Sequence, residues 1–561
     1  MTRFAAWGMA AVLAAPLAAQ APPPARPQEP ADLLVTGARI YTADAVRPMG
    51  EAMAVRGGRI LYVGNRRAAE LFRGPATRVL DVGGRTVIPG MTDAHAHLTG
   101  LGTALRTVDL RGTRSIEDVV ARVVERARTA RPGEWITGRA WNQNEWADTR
   151  FPTHEALSQA VPNNPVYLTR VDGHAGLANA AAMRAANITA GTQDPEGGRL
   201  IRDASGGPSG VFVDRAMGLV TRAIPPASDD ELRAAILAAI AESNRWGLTG
   251  IHDAGADARV IGLYEELARA GRYTLRNYVM IRADTTVLAR FFQRGPQHAI
   301  HDGRIWLRAI KISADGALGS RGAALLEDYS DEPGNRGLNL VPPAYIRRVA
   351  VLALRNGFQL NVHAIGDRAN REVLDTFEAA LREVPVADHR FRIEHAQIIH
   401  RQDIPRFAQL GVIPSMQGSH QSSDAPMAMN RVGWTRVQGA YAWRSLLNTG
   451  VVIPNGSDFP VEPVNPLISF HAAVTRQDGN GWPAGGWFPA ERMTRVEALL
   501  SMTLWPAYAS FSDDILGSLT PGKYADFVVL DQDIMTCAPE RILETRVLLT
   551  VLGGQVVYEA R

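Results

Sequence analysis

The alternation of apolar runs with helix-compatible stretches predicts an α/β protein built around a (β/α)8, or TIM, barrel. Eight strand-like runs occur between residues 87 and 457, and helix-compatible stretches follow most of them. At both ends of the chain, short β-branched runs separated by glycine turns predict a small β-domain instead. Metal-competent side chains stand at the ends of several barrel strands, where such barrels carry their active sites.

The N-terminal segment has the pattern of a secretory signal peptide. Arg3 precedes a short apolar run, Phe4–Ala19, and a Pro/Ala-rich stretch follows it. The run is shorter than the ~20 residues that a membrane-spanning helix needs. We predict a signal peptide over residues 1–21, a linker over residues 22–30, and a periplasmic or secreted protein with no stable membrane span after cleavage. An uncleaved N-terminal anchor is the alternative, and N-terminal sequencing of the mature protein distinguishes the two.

The two chain ends are predicted to form one β-sandwich domain from residues 31–86 and 515–561. Short β-branched runs such as Leu33–Val35 and Phe527–Leu530 occur in both segments. Gly57-Gly58 stands between two such runs, which is typical of a tight hairpin turn. A domain built from both ends would enclose the rest of the chain.

The eight apolar runs between these ends are the predicted barrel strands. They are Val87–His95, Leu248–Asp253, Leu275–Ile281, Ile305–Ser313, Phe358–His363, Phe391–His395, Val412–Met416 and Val451–Ser457. The barrel is accordingly assigned to residues 87–99 and 248–514. Residues 100–247 are too many for a connection between two strands, so we predict a large insertion after strand one that covers the barrel mouth.

The composition narrows the function classes. The chain has 561 residues with 60 basic and 57 acidic side chains, and a formal net charge of +3 is too small to predict a nucleic-acid-binding surface. The single cysteine, Cys537, excludes an intramolecular disulfide and any Cys-rich zinc or iron–sulfur site. Only two lysines occur, Lys311 and Lys523, so each position is informative.

Histidine and aspartate residues end four of the predicted barrel strands. His95 and His97 are two positions apart at the end of strand one, so both imidazoles can share one face. His363 ends strand five, His395 ends strand six, and Asp458 follows strand eight. Each residue alone is compatible with ordinary core packing. Their joint placement at one end of a barrel predicts a metal site.

Lys311 lies in the apolar fourth strand, where a lysine without a partner is costly. Beside metal ions, a neutral lysine amine can capture CO₂ and become a carbamate, an anionic ligand that bridges two cations. Arginine stays protonated and cannot do this readily, which explains a lysine in a chain that otherwise uses arginine. The alternative is a core lysine that forms an ion pair, with Asp315 as a candidate partner.

These residues stand in motifs that resemble the amidohydrolase superfamily, and more closely its amidohydrolase-3, or YtcJ-like, branch, which includes N-substituted formamide deformylases. The motifs are Pro89–His97, Trp141-Asn142-Gln143, Val171-Asp172-Gly173-His174, Lys311 with Asp315-Gly316, Val362–Arg368, Arg392-Ile393-Glu394-His395-Ala396 and Gly456-Ser457-Asp458. They occur in order from about Ala31 to the C-terminus.

The resemblance implies two divalent metal ions, with zinc as the expected metal. His95, His97 and Asp458 would hold one ion, His363 and His395 the other, and carboxylated Lys311 would bridge them. Asp458 would also be the catalytic proton shuttle. The remaining candidates are assigned to substrate binding, with plain packing as their alternative: Trp141, Asn142, Gln143, His174, Asp315, Gln417 and His420.

The resemblance implies a metal-dependent amidohydrolase, and the signal-peptide pattern predicts that it is exported. A metal-activated hydroxide would cleave an amide or formamide C–N bond in a small substrate. A deaminase of the superfamily is one alternative, although its single-metal members carry a glutamate where this chain has Gly366. A lactone or ester hydrolase and a non-catalytic binding protein are further alternatives. The sequence leaves the oligomeric state open, including a homo-oligomer.

Overall fold

A computed structural model describes residues 30–561. The predicted signal peptide, and residues 22–29 of the predicted linker, lie outside the described residues. The described chain contains three main sheets: a parallel barrel sheet, a sheet built from both ends of the described chain, and a sheet from residues 108–214. We call the second the terminal sheet and the third the cap sheet.

The barrel sheet contains eight parallel strands whose hydrogen-bonded order follows the sequence. Strands one to eight are Met91–Ala96, Leu248–Ala256, Arg276–Arg282, Ile305–Ser313, Gln359–Ala364, Arg392–His395, Ile413–Gln417 and Asn455–Gly456, and Gln297–Ala299 adds antiparallel to strand four. Strands five and six are buried along their whole length, as expected for a parallel sheet covered on both faces. The predicted barrel is confirmed as a nearly closed parallel sheet.

Strands one and eight approach each other just beyond their carboxyl ends. The Asp458 N–H donates to the carbonyl oxygen of His95 at 2.7 Å, and the His97 N–H donates to that of Phe459 at 2.8 Å. These two bonds bring the first and last strands together, although no strand ladder joins them. They also fix the backbone of three of the predicted metal ligands.

The first barrel strand is shorter than predicted. The predicted run Val87–His95 is divided at Gly90: Arg78–Pro89 belongs to the terminal sheet, and only Met91–Ala96 enters the barrel. A Cβ atom at Gly90 would lie 2.1 Å from Thr249 Oγ1, so only glycine allows the chain to pass this point. Because both segments are apolar, the sequence pattern predicted one continuous strand.

The eighth barrel strand is also shorter than the predicted Val451–Ser457, because only Asn455–Gly456 pairs as a strand. Pro454 has no N–H to donate, and its carbonyl oxygen accepts a single bond from the Met416 N–H at 3.0 Å.

The terminal sheet combines strands from both ends of the described chain. Its members are Leu33–Tyr41, Met49–Gly50, Ala52–Arg56, Arg59–Gly64, Arg78–Pro89, Phe527–Leu530, Val547–Leu552 and Gln555–Glu559. Gly57 and Gly58 have φ values of 54° and 74° and form the predicted hairpin turn. The hydrogen bonds describe one eight-stranded sheet. The assignment of a β-sandwich domain stays a prediction.

The cap sheet contains six strands: Val108–Asp109, Ile136–Trp141, Val166–Arg170, Ala175–Ala178, Gly198–Arg202 and Pro208–Asp214. Its apolar side chains form hydrophobic clusters of their own, separate from the large barrel cluster. Residues at the ends of its strands line the same cavity as the barrel residues described below. The division into an inserted region and a barrel domain stays a prediction.

The helices surround the barrel strands and connect the sheets. Those of eight residues or more are Ile116–Ala127, Asp229–Arg245, Ala258–Arg269, Thr285–Arg294, Pro343–Arg355, Asp367–Glu383, Gly418–Val437 and Pro466–Thr475. The shorter helices are Arg66–Ala69, Leu98–Ala104, Glu155–Ala160, Ala180–Ala185, Gly218–Thr221, Ile300–Gly303, Ile404–Leu410, Trp443–Leu447, Arg495–Ser501 and Leu504–Ala509. Within residues 30–561, none is both long and apolar enough to span a bilayer.

A buried ion pair connects the barrel to the C-terminal part of the chain. Arg276, on barrel strand three, lies 2.5 Å (Nε to Oδ2) and 2.8 Å (Nη2 to Oδ1) from Asp526. Its Nη1 donates to the carbonyl oxygen of Gly303 at 2.6 Å, and its Cζ lies 3.8 Å from the centre of the Tyr524 ring. The guanidinium is therefore enclosed by partners rather than by water.

We predict that Arg276→Met destabilises the protein by about 3–5 kcal/mol, because Asp526 is then buried without its cation. Replacing both partners, as Arg276→Met with Asp526→Leu, should recover much of this loss. Urea unfolding of both variants checks the prediction. Arg233→Met, which removes an arginine that pairs at the surface with Asp230 and Glu266, is the control with little expected change. Equal effects of Arg276→Met and Arg233→Met would contradict the prediction.

Candidate metal-dependent active site

The carboxyl ends of barrel strands one, four, five, six and eight converge on one cavity of about 510 Å³. All six residues assigned as metal ligands line it: His95, His97, Lys311, His363, His395 and Asp458. Five of them are buried, and the His97 side chain is 39% exposed. The structure thus brings together residues that are up to 363 positions apart in the chain, as the barrel topology requires.

Asp458 lies between the two histidines of strand one. Its Oδ1 is 3.1 Å from His97 Nε2 and 3.5 Å from His95 Nε2. The donor atoms of these three residues lie within 4.8 Å of one another, which is close enough for one ion to contact all three. Burial would raise the pKa of Asp458, but the neighbouring His95 and His97 outweigh burial and hold this pKa well below its usual range.

A second group of imidazoles continues from this first one. The rings of His363 and His395 are 4.4 Å apart between centroids, and those of His95 and His395 are 4.8 Å apart. His395 and His420 form a further candidate set with Asp458, again within 4.8 Å. The structure therefore offers His420 as a metal donor, whereas the sequence suggested a substrate contact.

Several donor atoms in this cluster have no hydrogen-bond partner within residues 30–561. They are His95 Nε2, His363 Nε2, His420 Nε2 and Asp458 Oδ1, all buried; the 3.1 Å contact of Asp458 Oδ1 with His97 Nε2 does not have hydrogen-bond geometry. Buried polar atoms in proteins are normally satisfied, so a group of four unpaired ones facing one cavity needs an explanation. A bound cation supplies it, because imidazole nitrogens and carboxylate oxygens are good ligands for zinc. The residues present fit a metal centre.

The backbone at two of these positions is strained. His395 has a φ of 74° and Asp458 a φ of 60°, in the left-handed region that residues other than glycine rarely adopt. Such conformations cost on the order of 1–3 kcal/mol each and are concentrated at functional sites. Here they turn the chain at the strand end, where the two side chains enter the cavity.

Lys311 lies on barrel strand four, next to strand five, lines the cavity and is 8% exposed. Burial lowers the pKa of its amine. The ion pair with Asp315, which was the alternative to a carbamate, does not form. Asp315 instead accepts backbone N–H bonds from Ala324, Ile365 and Gly366, at 2.8–3.0 Å. Burial raises the pKa of Asp315 to about 7, despite these three bonds.

His95 is oriented by a buried carboxylate that the sequence did not single out. Its Nδ1 lies 2.5 Å from Glu394 Oε2, and Glu394 in turn lies 2.8 Å from Arg392 Nε. With Nδ1 donating to Glu394, the lone pair of Nε2 points away from this contact and can bind a cation. Burial, followed by the charge of Lys311, lowers the pKa of His95 to about 4, so the imidazole is neutral.

A second buried carboxylate, Asp93, connects the first and eighth strands. It accepts the Ser457 hydroxyl at 2.6 Å and the Ser457 N–H at 3.0 Å, and also the N–H of His95 at 3.1 Å. The loop that carries Asp458 is thereby fixed to the strand that carries His95 and His97. Burial raises the pKa of Asp93 to about 7.

Comparisons with known proteins agree with this geometry. Residues 78–558 match the model of the amidohydrolase family. The chain belongs to the amidohydrolase family. The family prediction is confirmed, and the protein is a hydrolase that acts on carbon–nitrogen bonds.

Three relatives illustrate how far the similarity extends. An N-substituted formamide deformylase of Arthrobacter pascens is 32% identical over 548 residues, which cover 94% of this chain and 98% of that protein. A Bacillus subtilis protein named as the amidohydrolase YtcJ is 32% identical over 529 residues, covering 93% and 98%. The crystal structure of an uncharacterized metal-dependent hydrolase from Pyrococcus horikoshii has a TM-score of 0.73 and 26% identity, covering 90% of this chain and 99% of that one.

In this amidohydrolase, His174 reaches the cavity from the cap sheet. Its ring lies 5.4 Å from the ring of His363, and its Nδ1 lies 2.6 Å from Asp214 Oδ1. Burial alone would lower the pKa of His174, but the hydrogen bond and the charge of Asp214 outweigh burial and raise the pKa to about 9. Asp214 is itself buried, and no motif in the sequence pointed to it.

The other predicted substrate contacts differ in position. Asn142 lines the cavity, but Trp141 is fully buried in the cap and donates from Nε1 to the carbonyl oxygen of Leu168 at 2.8 Å. Gln143 is also buried, and its Oε1 accepts from Arg170 Nε at 2.8 Å. The structure places Trp141 and Gln143 behind the cavity wall, where they support it.

Gln417 lies behind His395 rather than on the cavity surface. Its Oε1 is 2.7 Å from His395 Nδ1, which orients the ring as Glu394 orients that of His95. Asp315 Oδ1 lies 3.5 Å from His363 Nε2, the ring nitrogen that has no hydrogen-bond partner, so this contact does not orient the ring in the way that Gln417 orients that of His395. Sequence reasoning gave Gln417 and Asp315 a place in the site, but not this relation to the histidines. Glu394 and Asp93 stand beside metal-competent residues in the strand-end motifs. That position is the sequence signal from which both could have been recognised.

We predict that Gln417→Leu weakens zinc binding by about 10- to 100-fold, the usual cost of removing the partner of a metal-binding histidine. Gln417→Glu keeps a hydrogen-bond acceptor and should bind zinc far better than the leucine variant. Competition with a chromogenic chelator measures both affinities. Gln438→Leu, whose side chain contacts only Arg401 at 3.4 Å outside the cavity, is the matched control. Wild-type affinity in Gln417→Leu would contradict the assigned role.

Proposed function

We propose that the protein is an exported metal-dependent amidohydrolase that cleaves an amide or formamide C–N bond in a small substrate. The observation that carries the proposal is the group of buried, unpaired imidazole and carboxylate atoms facing one cavity. The name of the Arthrobacter pascens relative supports a formamide as the first substrate to test.

The proposed metal ligands are His95, His97 and Asp458 for one ion, and His363 and His395 for a second, with carboxylated Lys311 between them. Zinc is the proposed metal, since histidine and carboxylate donors suit it. When bound, such ions polarise the substrate carbonyl and stabilise the negative charge that develops on its oxygen.

Asp458 is the proposed proton shuttle. Its carboxylate faces the cavity and the neighbouring histidines keep its pKa low, so it is ionised and able to accept a proton from the attacking water. The same oxygen can then donate that proton to the departing nitrogen. The bonds from Asp93 to Ser457 fix the loop that carries it, which keeps the carboxylate in reach of both groups.

His174 is proposed to contact the substrate from the cap side. Asp214 holds Nδ1, and the ring lines the cavity 5.4 Å from the ring of His363. A cationic imidazole in that position can donate a hydrogen bond to a polar group of the substrate.

The backbone at Gly366 leaves no space for a side chain, which favours amide hydrolysis over the single-metal deaminase alternative. A Cβ atom at this position would lie 1.9 Å from the carbonyl oxygen of Ala324. No side chain fits there, and the glutamate of such deaminases therefore has no place in this backbone.

Product analysis tests the proposal. Purified protein reconstituted with zinc is incubated with N-substituted formamides, N-acyl amines and lactones, and formate, carboxylate, amine and ammonia are quantified. We expect a carboxylate and an amine in equal amounts. Ammonia release with retention of the acyl group would indicate the deaminase alternative. No turnover of any amide, with zinc bound, would contradict the proposal.

We predict that Asp458→Asn lowers kcat by ~10²–10⁴-fold while the protein retains much of its metal, because the amide cannot relay the proton. Metal analysis by mass spectrometry is performed on the same samples as the kinetics. It shows whether a fall in kcat comes from a slower chemical step or from a lower metal content. Near-normal kcat in a metal-replete variant would assign proton transfer elsewhere, and His174 would be the next candidate.

We predict that Lys311→Ala leaves a protein deficient in metal and nearly inactive. Two cations close together repel strongly, and neutral histidines do not offset this repulsion. Lys311→Arg should fail as well, and formate, acetate or propionate should restore part of the activity of Lys311→Ala. Lys523→Ala removes the only other lysine of the chain and is the control. A fully active Lys311→Arg variant would contradict the proposed bridge.

A further inference from the structure

Two arginines from the cap reach the wall of the cavity beside barrel strand eight. Arg139 lies on the cap strand Ile136–Trp141, and Arg111 follows the short strand Val108–Asp109. Both donate to the carbonyl oxygen of Pro460, Arg139 from Nη1 at 2.5 Å and Arg111 from Nη2 at 3.1 Å. Pro460 is two residues beyond Asp458, so the pair lies next to the proposed proton shuttle.

These guanidinium groups bond to carbonyl oxygens and not to carboxylates. Arg111 Nη2 also donates to the carbonyl oxygen of Val461 at 3.0 Å, and Arg139 Nη2 to that of Val171 at 3.4 Å. Neither arginine forms an ion pair with a carboxylate of residues 30–561. By contrast, Arg170 on the same cavity lies 2.5 Å from Asp172.

The positive charge of the pair is therefore only partly offset. Carboxylates such as Asp458 and Asp172 attract Arg139 from a longer distance, and Glu462 does the same for Arg111. Burial, followed by the charge of Arg111, lowers the pKa of Arg139 to about 10. Two like charges held side by side in a half-buried wall are costly unless an anion joins them.

Arg111 has hydrogen-bond donors to spare for such an anion. Its Nε and Nη1 donate to no atom of the described residues. Neither is among the fully buried atoms that lack a hydrogen-bond partner, so both are accessible. A guanidinium carries five N–H donors in a planar fork that matches a carboxylate. The cavity wall at Arg111 and Arg139 therefore offers positive charge and hydrogen-bond donors that have no partner among the described residues.

We propose that Arg111 and Arg139 form an anion subsite, and that the substrate is an amide whose amine portion carries a carboxylate, as in an N-acyl amino acid. The inference rests on the proposed amide hydrolysis. Asp458 would deliver its proton to the leaving nitrogen, so the amine portion lies on the side of the cavity where Pro460 and the two arginines stand. The acyl portion then faces the rest of the cavity.

A matched pair of substrates tests the subsite. N-formylphenylalanine and N-(2-phenylethyl)formamide differ only by the carboxylate, and kcat/KM is measured for both with the zinc-loaded protein. We expect the wild type to prefer the carboxylate substrate by at least about 10-fold. Arg111→Gln and Arg139→Gln should each reduce kcat/KM for that substrate by about 10- to 100-fold, the range of a charge-assisted hydrogen bond, with little change for the uncharged one.

Arg114→Gln is the charge-matched control, because Arg114 is exposed and lies outside the cavity lining. It should leave both values of kcat/KM unchanged. An equal fall for both substrates in Arg111→Gln and Arg139→Gln would show that these arginines only hold the Pro460 loop, and would overturn the proposal. A wild type without preference for the carboxylate would also overturn it.

Measured binding affinities test the anion subsite independently of the proposed function. If neither formamide is hydrolysed, calorimetric Kd values for the same two compounds decide the subsite alone, and the proposed function fails only if the other amides of the product screen are not hydrolysed either. Tighter binding of N-formylphenylalanine that is lost in Arg139→Gln would support an anion subsite on a protein of different activity. Equal Kd values in the wild type would overturn it.

Discussion

The buried contact between Glu394 and His95 is the interaction on which the site depends. Glu394 lies between Arg392 and His95 with no exposure to water, and the pKa of its carboxyl is held at about 2 because these cationic and donor groups outweigh the effect of burial. Arg392 also donates to the carbonyl oxygen of Ala94 at 2.6 Å and to the Ser415 hydroxyl at 2.7 Å, so strands one, six and seven share one polar network. Without Arg392 the carboxylate would be an uncompensated buried charge.

This network explains how a parallel barrel can present unpaired donor atoms at its mouth. His95 and His395 each have one nitrogen engaged from behind, by Glu394 and Gln417 respectively, which leaves the other nitrogen available to the cavity. The strained backbone at Asp458 is held in the same way by Asp93 through Ser457. Arg111 and Arg139 of the cap add positive charge to the same cavity. The cavity therefore has a proposed metal site on the barrel strands and a proposed anion subsite on the cap.

The sequence predicted most of what depends on periodicity and motif order. The barrel and the terminal strands followed from apolar runs, and the residues that end those runs, together with Lys311, pointed to the cavity in which the structure brings them together. Strand one was too long in the prediction because Gly90, where the chain passes from one sheet to another, is flanked by apolar residues on both sides. The contacts of Asp214 with His174, and of Arg111 and Arg139 with the same carbonyl oxygen, join separate segments of the cap, and only the folded chain brings them together. Trp141 is an aromatic residue in a recognisable motif, and nothing in the motif shows that its ring faces the core.

The central claim is that the strand-end residues form a metal centre for amide hydrolysis. A calorimetric titration of chelator-treated protein with zinc, with amine release from a formamide measured in the same samples, tests it most directly. We expect saturation at two ions per chain and activity that rises with occupancy, and we expect both to be lost when His95 and His97 are replaced together by alanine. Zinc binding and activity that persist in that double variant would contradict it.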